Sequence, residues 1–112
     1  SILSNTGFIL GGSLRKMMPL LGLEGCFDFQ LYSDELGLSK PSPHAFAEVY
    51  RRASEIRPLD RLEILHLGDN RKADYDGARS VGMSALLLDP ENDRITDLLT
   101  PWICTPALQG TA

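Results

Sequence analysis

Five polar side chains in this 112-residue chain could together bind a phosphate group and a divalent cation. Ser4 with Asn5, and later Asp69, directly follow short apolar segments, while Lys40 follows another such segment after a loop. In open α/β sheets functional residues collect beyond the carboxyl ends of the strands, so we expect these groups to converge at one sheet edge. Asp74 lies near the start of the next predicted helix. A hydroxyl, an amine and two carboxylates suit phosphate and Mg2+, which needs only one or two protein carboxylates.

Each of these residues also has an ordinary structural interpretation. Asp69 and Asp74 could be N-terminal helix caps, which is a common role of aspartate at such positions. Ser4 and Asn5 could cap the helix that follows them, and Lys40 could be a solvated loop lysine. The surrounding motifs favour a functional role for four of the five. For Asn5, capping and phosphate binding are equally supported.

Four short apolar segments predict strands. Near-continuous apolar runs are typical of parallel strands that are covered on both faces. The segments are Ile2-Leu3 and residues 27–32, 63–67 and 84–88. Helical periodicity lies between them, and alternating strands and helices predict an α/β fold with a mostly parallel sheet.

The helices are predicted from apolar stripes. The first ends at Gly22, and its stripe consists of Leu10, Leu14, Met17, Met18 and Leu21. The second has Ser42 as its cap and Pro43 in its first turn, and its stripe consists of Phe46, Val49, Tyr50, Ala53 and Ile56. A third fits residues 73–81, where Gly77 and Ala78 would let it lie close against a sheet. A further short helix fits residues 95–99.

Composition excludes several classes of function. The chain is 43% hydrophobic and 23% charged, with a net charge of -4, so it lacks the basic surface of a nucleic-acid or membrane-surface binder. No apolar stretch approaches the roughly 18 residues that span a bilayer, and the first residues do not resemble a signal peptide. We expect a cytoplasmic protein of one small domain. Cys26 and Cys104 are expected to be free buried thiols.

Other titratable residues have simpler interpretations. His66 lies inside a predicted strand and is expected to be a core histidine whose hydrogen bonds are satisfied. Arg71 and Lys72 flank the Asp69 loop and could meet a substrate, but charged loop residues are more often only solvated.

Three motifs in one order resemble the haloacid dehalogenase-like (HAD) hydrolases. Residues 3–6 (Leu-Ser-Asn-Thr) resemble motif II, residues 39–43 (Ser-Lys-Pro-Ser-Pro) resemble motif III, and residues 67–74 resemble motif IV in its GDxxxxD form, followed by glycines. The resemblance covers residues 2–89 and leaves the tail, residues 90–112, unassigned. It implies a three-layer Rossmann-like sandwich with a mostly parallel sheet.

The resemblance also assigns roles to the five residues. Ser4 and Lys40 would be catalytic, and both would bind the phosphorylated substrate together with Asn5. Asp69 and Asp74 would hold the Mg2+ cofactor. The parent reaction would be hydrolysis of a small phosphorylated metabolite through an aspartyl-phosphate.

The family's nucleophile is not found in this sequence. It is an aspartate in a DxD motif on the first strand, and no such motif precedes Ser4. Asp28, Asp89 and Asp93 lie in unsuitable positions, and the specificity cap that most relatives insert between motifs I and II is also missing. We therefore expect a fragment, a partial core domain over residues 1–112, that is inactive alone.

The missing strand also has a structural consequence. The family's sheet order, 5-4-1-2-3, places strand 1 in the centre, so its absence would leave a gap between strands 2 and 4. Three arrangements could relieve that gap: direct pairing of the flanking strands, a segment donated by a second copy, or the tail after Asp89. We expect direct pairing or self-association rather than an open monomer.

Three alternatives remain open. A dehalogenase-type hydrolase of the same family would need no metal, but the Asp69 and Asp74 pair favours the metal-using branch. A noncatalytic module derived from the family is another possibility. A receiver-like domain would place its acidic cluster before the hydroxyl and lysine, whereas here the acidic pair comes last.

Overall fold

The computed structural model describes residues 1–103, which contain two pairs of parallel strands. Strand β1 (Ile2–Ser4) pairs with β2 (Gln30–Tyr32), and β3 (Leu65–Gly68) pairs with β4 (Ser84–Leu87). All four predicted strands are present and parallel, which confirms the α/β class. Strand β2 is shorter than predicted: residues 27–29 of the predicted segment lie outside it.

Helices connect and follow these strands. They are α1 (Gly11–Leu20), α2 (Ser33–Leu36), α3 (Pro43–Ile56), a 3-10 turn (Arg61–Glu63), a π-helical segment (Arg71–Asp76) continuing into α4 (Gly77–Ser80), and α5 (Ile95–Ile103). The three predicted helices are present, and the short helix predicted in the tail is α5. The sequence did not predict α2 or the 3-10 turn. Within residues 1–103, none of the helices combines the length and apolar character needed to cross a membrane.

Helix α3 supplies the centre of the core. Pro43 is its first residue, where the missing N–H is not needed. Phe46 is fully buried and packs in a cluster with Ala78 and Met83. Two details of the prediction are wrong: the Ser42 side chain makes no capping bond, and Ile56 is 57% exposed.

Gly77 allows α3 and α4 to approach closely. A Cβ built on Gly77 would lie 2.8 Å from Cε2 of Phe46 and 3.1 Å from Cβ of Pro41. The sequence correctly predicted that Gly77 marks a close approach. The neighbour of Gly77 is helix α3, while the next residue, Ala78, packs in one cluster with Leu3 of β1 and Ala85 of β4.

The apolar stripe of α1 is only partly covered by the described residues. Leu14 and Met18 are half-buried, whereas Leu10 and Leu21 are 54% and 61% exposed. Only part of the predicted stripe therefore faces the core. Cys26 is also exposed rather than buried, and Cys104 lies outside the described residues.

The two strand pairs are separated by a cleft. Among residues 1–103, hydrogen bonding joins β1 only to β2 and β3 only to β4. Between them lies a space of about 430 Å³, lined in part by Leu3, Leu65, His66, Leu67, Ile95 and Leu99. Direct pairing of β1 with β3, one of the two arrangements that we expected, is therefore wrong for the described residues. Helix α5, from the tail, lines one side of the cleft, and self-association stays a prediction.

Candidate functional site

A carboxylate and two nitrogen groups meet at the end of β3. Nζ of Lys40 lies 2.5 Å from Oδ1 of Asp74, and Nε2 of His66 lies 2.9 Å from the same oxygen. The backbone N–H of Asn70 donates to Oδ2 of Asp74 at 3.1 Å. Asp74 is 4% exposed, so its charge is balanced by protein groups rather than by water.

Burial and charge set the protonation of this cluster. Burial alone would raise the pKa of Asp74, but hydrogen bonds from Lys40, His66 and Asn70 outweigh it and hold this pKa below its usual range. Burial lowers the pKa of His66, and the positive charge of Lys40 adds to that effect, whereas the bond to Asp74 opposes it. At neutral pH the carboxylate is therefore charged and the imidazole neutral. Because an ionised carboxylate only accepts hydrogen bonds, Nε2 of His66 must carry the proton.

Gly68 and Asn70 bring Asp74 into this position. A Cβ on Gly68 would overlap the side chain of Asp74, so the carboxylate packs directly over the backbone of β3. Oδ1 of Asn70 accepts from the N–H of Ala73 at 2.8 Å and caps the following helix. Neither Asp69 nor Asp74 is therefore the capping residue. Asp74 does accept a hydrogen bond from the backbone N–H of the capping residue, Asn70.

His66 was predicted to be a satisfied core histidine, and the structure shows a half-buried residue with Nε2 hydrogen-bonded. Its ring packs edge-on against Phe46, with 5.2 Å between ring centroids, and its Nε2 bonds to Asp74. Nothing in the sequence placed His66 beside Asp74, because a strand residue and a helix residue eight positions apart follow no common period.

Asn5 connects the end of β1 to the Lys40 loop. Its Nδ2 donates to the carbonyl of Lys40 at 3.0 Å, and its Oδ1 accepts from the N–H of Lys40 at 2.8 Å. The N-terminus of α1 is instead satisfied by Asp34, whose carboxylate accepts from the N–H of Gly11. The interpretation of Asn5 as a helix cap is therefore wrong.

The ordinary interpretations of Lys40 as a solvated lysine and of Ser4 as a helix cap are also wrong. The Lys40 side chain is 11% exposed and paired, so it is not a solvated loop lysine. Ser4 ends β1, and its Oγ makes only a long contact of 3.5 Å to the carbonyl of Asn5, not a helix cap. Its hydroxyl thus has no strong bond to give up before binding a ligand.

Asp69 lies beside the cluster at the carboxyl end of β3 and is exposed. Within residues 1–103, no three His, Cys, Asp or Glu side chains are grouped closely enough to hold a metal ion. Mg2+ keeps several waters and needs only one or two carboxylates, so Asp69 fits part of such a site. Asp74 fits less directly, because Lys40 already balances its charge. Arg71 and Lys72 are exposed, and Arg71 lies over the ring of Tyr75.

The predicted residues are thus brought together in a chain of contacts. Asn5 bonds to Lys40, and Lys40 bonds to Asp74, which packs over Gly68 immediately before Asp69. The ammonium of Lys40 and the exposed carboxylate of Asp69 are groups of the kind that bind phosphate and a divalent cation.

Comparison with known proteins identifies relatives of one kind. No protein-family model matches the chain. It is 40% identical over 75 residues to human haloacid dehalogenase-like hydrolase domain-containing protein 3, covering 67% of this chain and 28% of that protein. It is 39% identical over 83 residues to the Escherichia coli 5-amino-6-(5-phospho-D-ribitylamino)uracil phosphatase YigB, covering 74% and 32%. The chain thus spans about a third of the length of these relatives.

Solved structures give the same result. A 2-haloacid dehalogenase from Pseudomonas syringae aligns with a TM-score of 0.58 at 35% identity, covering 69% of this chain and 32% of that one. A HAD phosphatase from Thermococcus onnurineus aligns with a TM-score of 0.61 at 31% identity, covering 72% and 36%. The magnesium-bound HAD-hydrolase YfnB from Bacillus subtilis shares the fold, with a TM-score of 0.67 at 23% identity, covering 82% and 38%. The motifs, the parallel strand pairs and these similarities agree that the chain belongs to the haloacid dehalogenase-like (HAD) superfamily.

Proposed function

We propose that these residues form the motif II to IV part of a Mg2+-dependent HAD phosphatase that hydrolyses a small phosphorylated metabolite. The observation that carries the proposal is the buried ion pair of Lys40 and Asp74 beside the exposed Asp69. A lysine held at a fixed point next to a carboxylate suits a site that binds a doubly charged phosphate. The phosphatases among the relatives support the same class of reaction.

Each residue has a role in this proposal. The ammonium of Lys40 neutralises phosphoryl charge and keeps the attacking carboxylate ionised. The hydroxyl of Ser4 donates to a phosphoryl oxygen, and the amide of Asn5 is a further donor. Asp69 would hold Mg2+ directly and Asp74 directly or through water, and the ion would supply electrostatic stabilisation of the transferring phosphoryl group.

The nucleophile of this reaction is not among the residues assigned to the site. The carboxylate that attacks phosphorus, and the acid that protonates the leaving oxygen, would belong to a DxD motif on the family's first strand, and no such motif precedes Ser4 here. We therefore propose that the isolated chain provides half of an active site and has no turnover.

A chimera tests the proposal directly. This chain would replace the matching segment of the E. coli phosphatase YigB, whose own first strand and cap are kept. We expect Mg2+-dependent phosphate release that Asp69→Asn and Lys40→Ala each reduce at least a hundredfold, with Lys40→Ala acting mainly on kcat. Circular dichroism would show that both variants fold. Near wild-type kcat/KM in both variants would contradict the site assignment.

Dehalogenation is the second candidate, because the Pseudomonas syringae dehalogenase is 35% identical to this chain. In that reaction an aspartate attacks carbon and displaces halide, and no metal is required. The same substitution of this chain into that dehalogenase distinguishes the two candidates. Halide release from a 2-haloacid without added metal, unaffected by Asp69→Asn, would favour dehalogenation.

A further inference from the structure

We infer that Asn5 is a positioning residue whose side chain holds the backbone of Lys40 so that its ammonium reaches the site; this inference rests on the proposed function. The Asn5 amide forms two hydrogen bonds to one residue, donating to the Lys40 carbonyl at 3.0 Å and accepting from the Lys40 N–H at 2.8 Å. The two residues are 35 positions apart, so this two-bond contact fixes tertiary rather than local structure.

The Lys40 loop is not part of a sheet, so its backbone depends on other contacts, and Asn5 provides one of them. Residues 37–42 lie between α2 and α3 and belong to no strand. Both hydrogen bonds are solvent-exposed, and Asn5 satisfies the N–H and the C=O of Lys40 at once, so the pair holds the loop in one place. The side-chain amide therefore makes the same two hydrogen bonds that a paired strand residue would make, and it anchors the loop to the end of β1.

Lys40 is held at both ends as a result. Asn5 fixes its backbone, and Asp74 binds its Nζ at 2.5 Å. Long lysine side chains lose much rotamer freedom when ordered, so fixing the backbone lowers the entropy cost of placing the ammonium. Asn5 thus affects the ammonium through the backbone of Lys40.

The adjacent residue provides a matched control. The Oγ1 of Thr6 donates to Oδ1 of Asp34 at 2.7 Å and lies 3.0 Å from Oγ of Ser33, and it also accepts from the N–H of Asp34. These bonds anchor the same loop after β1 to α2 without contacting Lys40. Thr6→Val would therefore loosen that loop without removing the Asn5 contact.

Competitive acetylation of the lysines tests the inference on the chain as it is. The sequence contains three lysines, and Lys16 and Lys72 are exposed internal references for Lys40. With limiting acetic anhydride at a pH where the chain is folded, mass spectrometry gives the acetylation rate of each lysine. We expect Asn5→Ala to raise the rate of Lys40 about tenfold relative to the references, Asn5→Asp to give an intermediate rise, and Thr6→Val to leave it unchanged.

Several results would overturn the inference. Unchanged Lys40 acetylation in Asn5→Ala would show that Asp74 alone positions the ammonium, and an equal rise in Thr6→Val would show a general loosening. If Asn5→Ala does not fold, an unchanged Lys40 rate in the milder Asn5→Asp variant is decisive against it. Acetylation needs no turnover, so an inactive chimera with the expected labelling would contradict the proposed function and leave the role of Asn5 intact.

Discussion

Lys40 and Asp74, 34 residues apart in the sequence, form an ion pair whose side chains are 11% and 6% exposed. A buried pair of this kind adds little net stability, because desolvation of both charges offsets their attraction. Removing one partner is costly, because the other charge is left buried. The pair therefore couples motif III to motif IV, so a change in either motif destabilises the other.

Asp74→Ala should lower the free energy of unfolding by about 3 kcal/mol, because it leaves the Lys40 ammonium and the Asn70 N–H without their acceptor. Lys40→Met should also destabilise, and the double variant should lose less than the two single losses added together. Urea unfolding followed by circular dichroism measures all three. Arg51→Ala, which breaks the surface ion pairs of Arg51 with Glu48 and Glu55, is the control and should have a much smaller effect. Additive losses would show that the pair is not coupled.

Stability should fall as the pH falls below about 6.5, the usual pKa of histidine. The pKa of His66 is lowered in the folded chain, so between its two pKa values the unfolded chain binds more protons and acid favours unfolding. The contribution of His66 is complete above pH 6.5 and is lost as the pH falls through the folded pKa. The lowered pKa of Asp74 acts in the same direction at lower pH.

Urea unfolding between pH 7.5 and 5 measures this slope. His66→Gln should flatten it, because the titrating group is gone, and His44→Gln is the matched control because His44 is exposed. A slope that His66→Gln leaves unchanged, or that His44→Gln removes, would contradict the assignment.

Gly68→Ala should destabilise the chain and displace Asp74, because the added Cβ would overlap the Asp74 side chain. Gly12→Ala is the control. Gly12 lies inside α1 with no atom within 4 Å of an added Cβ, so alanine there should stabilise the chain by about 0.5–1 kcal/mol. Thermal unfolding would show opposite shifts in Tm. Equal shifts would mean that the close approach at Gly68 is not required.

The sequence predicted which residues lie near this site better than it predicted the contacts between them. Strand ends could be located because apolar runs stop abruptly at Ser4 and Gly68, and carboxyl ends of parallel strands share an edge. The contact between Asn5 and Lys40 could not be predicted, because it joins a side chain to the backbone of a residue in an irregular loop. His66 was missed as a partner of Asp74 for a similar reason. The apolar stripe predicted for α1 is largely exposed, because periodicity shows which face of a helix is apolar and not what covers that face.

The isolated chain should not hydrolyse p-nitrophenyl phosphate, with or without Mg2+. No aspartyl-phosphate can form without the nucleophile, and in the proposed mechanism Lys40 and Ser4 would only stabilise charge on the phosphoryl group. Initial rates of nitrophenol release by the purified chain measure this. Mg2+-dependent hydrolysis that Asp69→Asn abolishes would contradict the prediction, since contaminating phosphatases would not respond to that substitution.

The cleft between β1 and β3 should make the chain associate with itself. Each of these strands pairs on one edge only among the described residues, and the cleft between them is lined by leucine and isoleucine side chains. Unpaired strand edges beside an apolar surface favour pairing with another chain. We therefore expect light scattering to show dimers or larger species whose proportion rises with protein concentration.

Two further measurements locate the association. Amide exchange across Ile2-Leu3 and residues 64–67 should slow as concentration rises, because a donated segment would bond those edges. Leu67→Lys places a charge in the cleft and should restore a monomer, whereas Leu62→Lys, at a position 69% exposed, should not. A stable monomer in which both facing edges exchange freely at all concentrations would show that the cleft needs no partner strand.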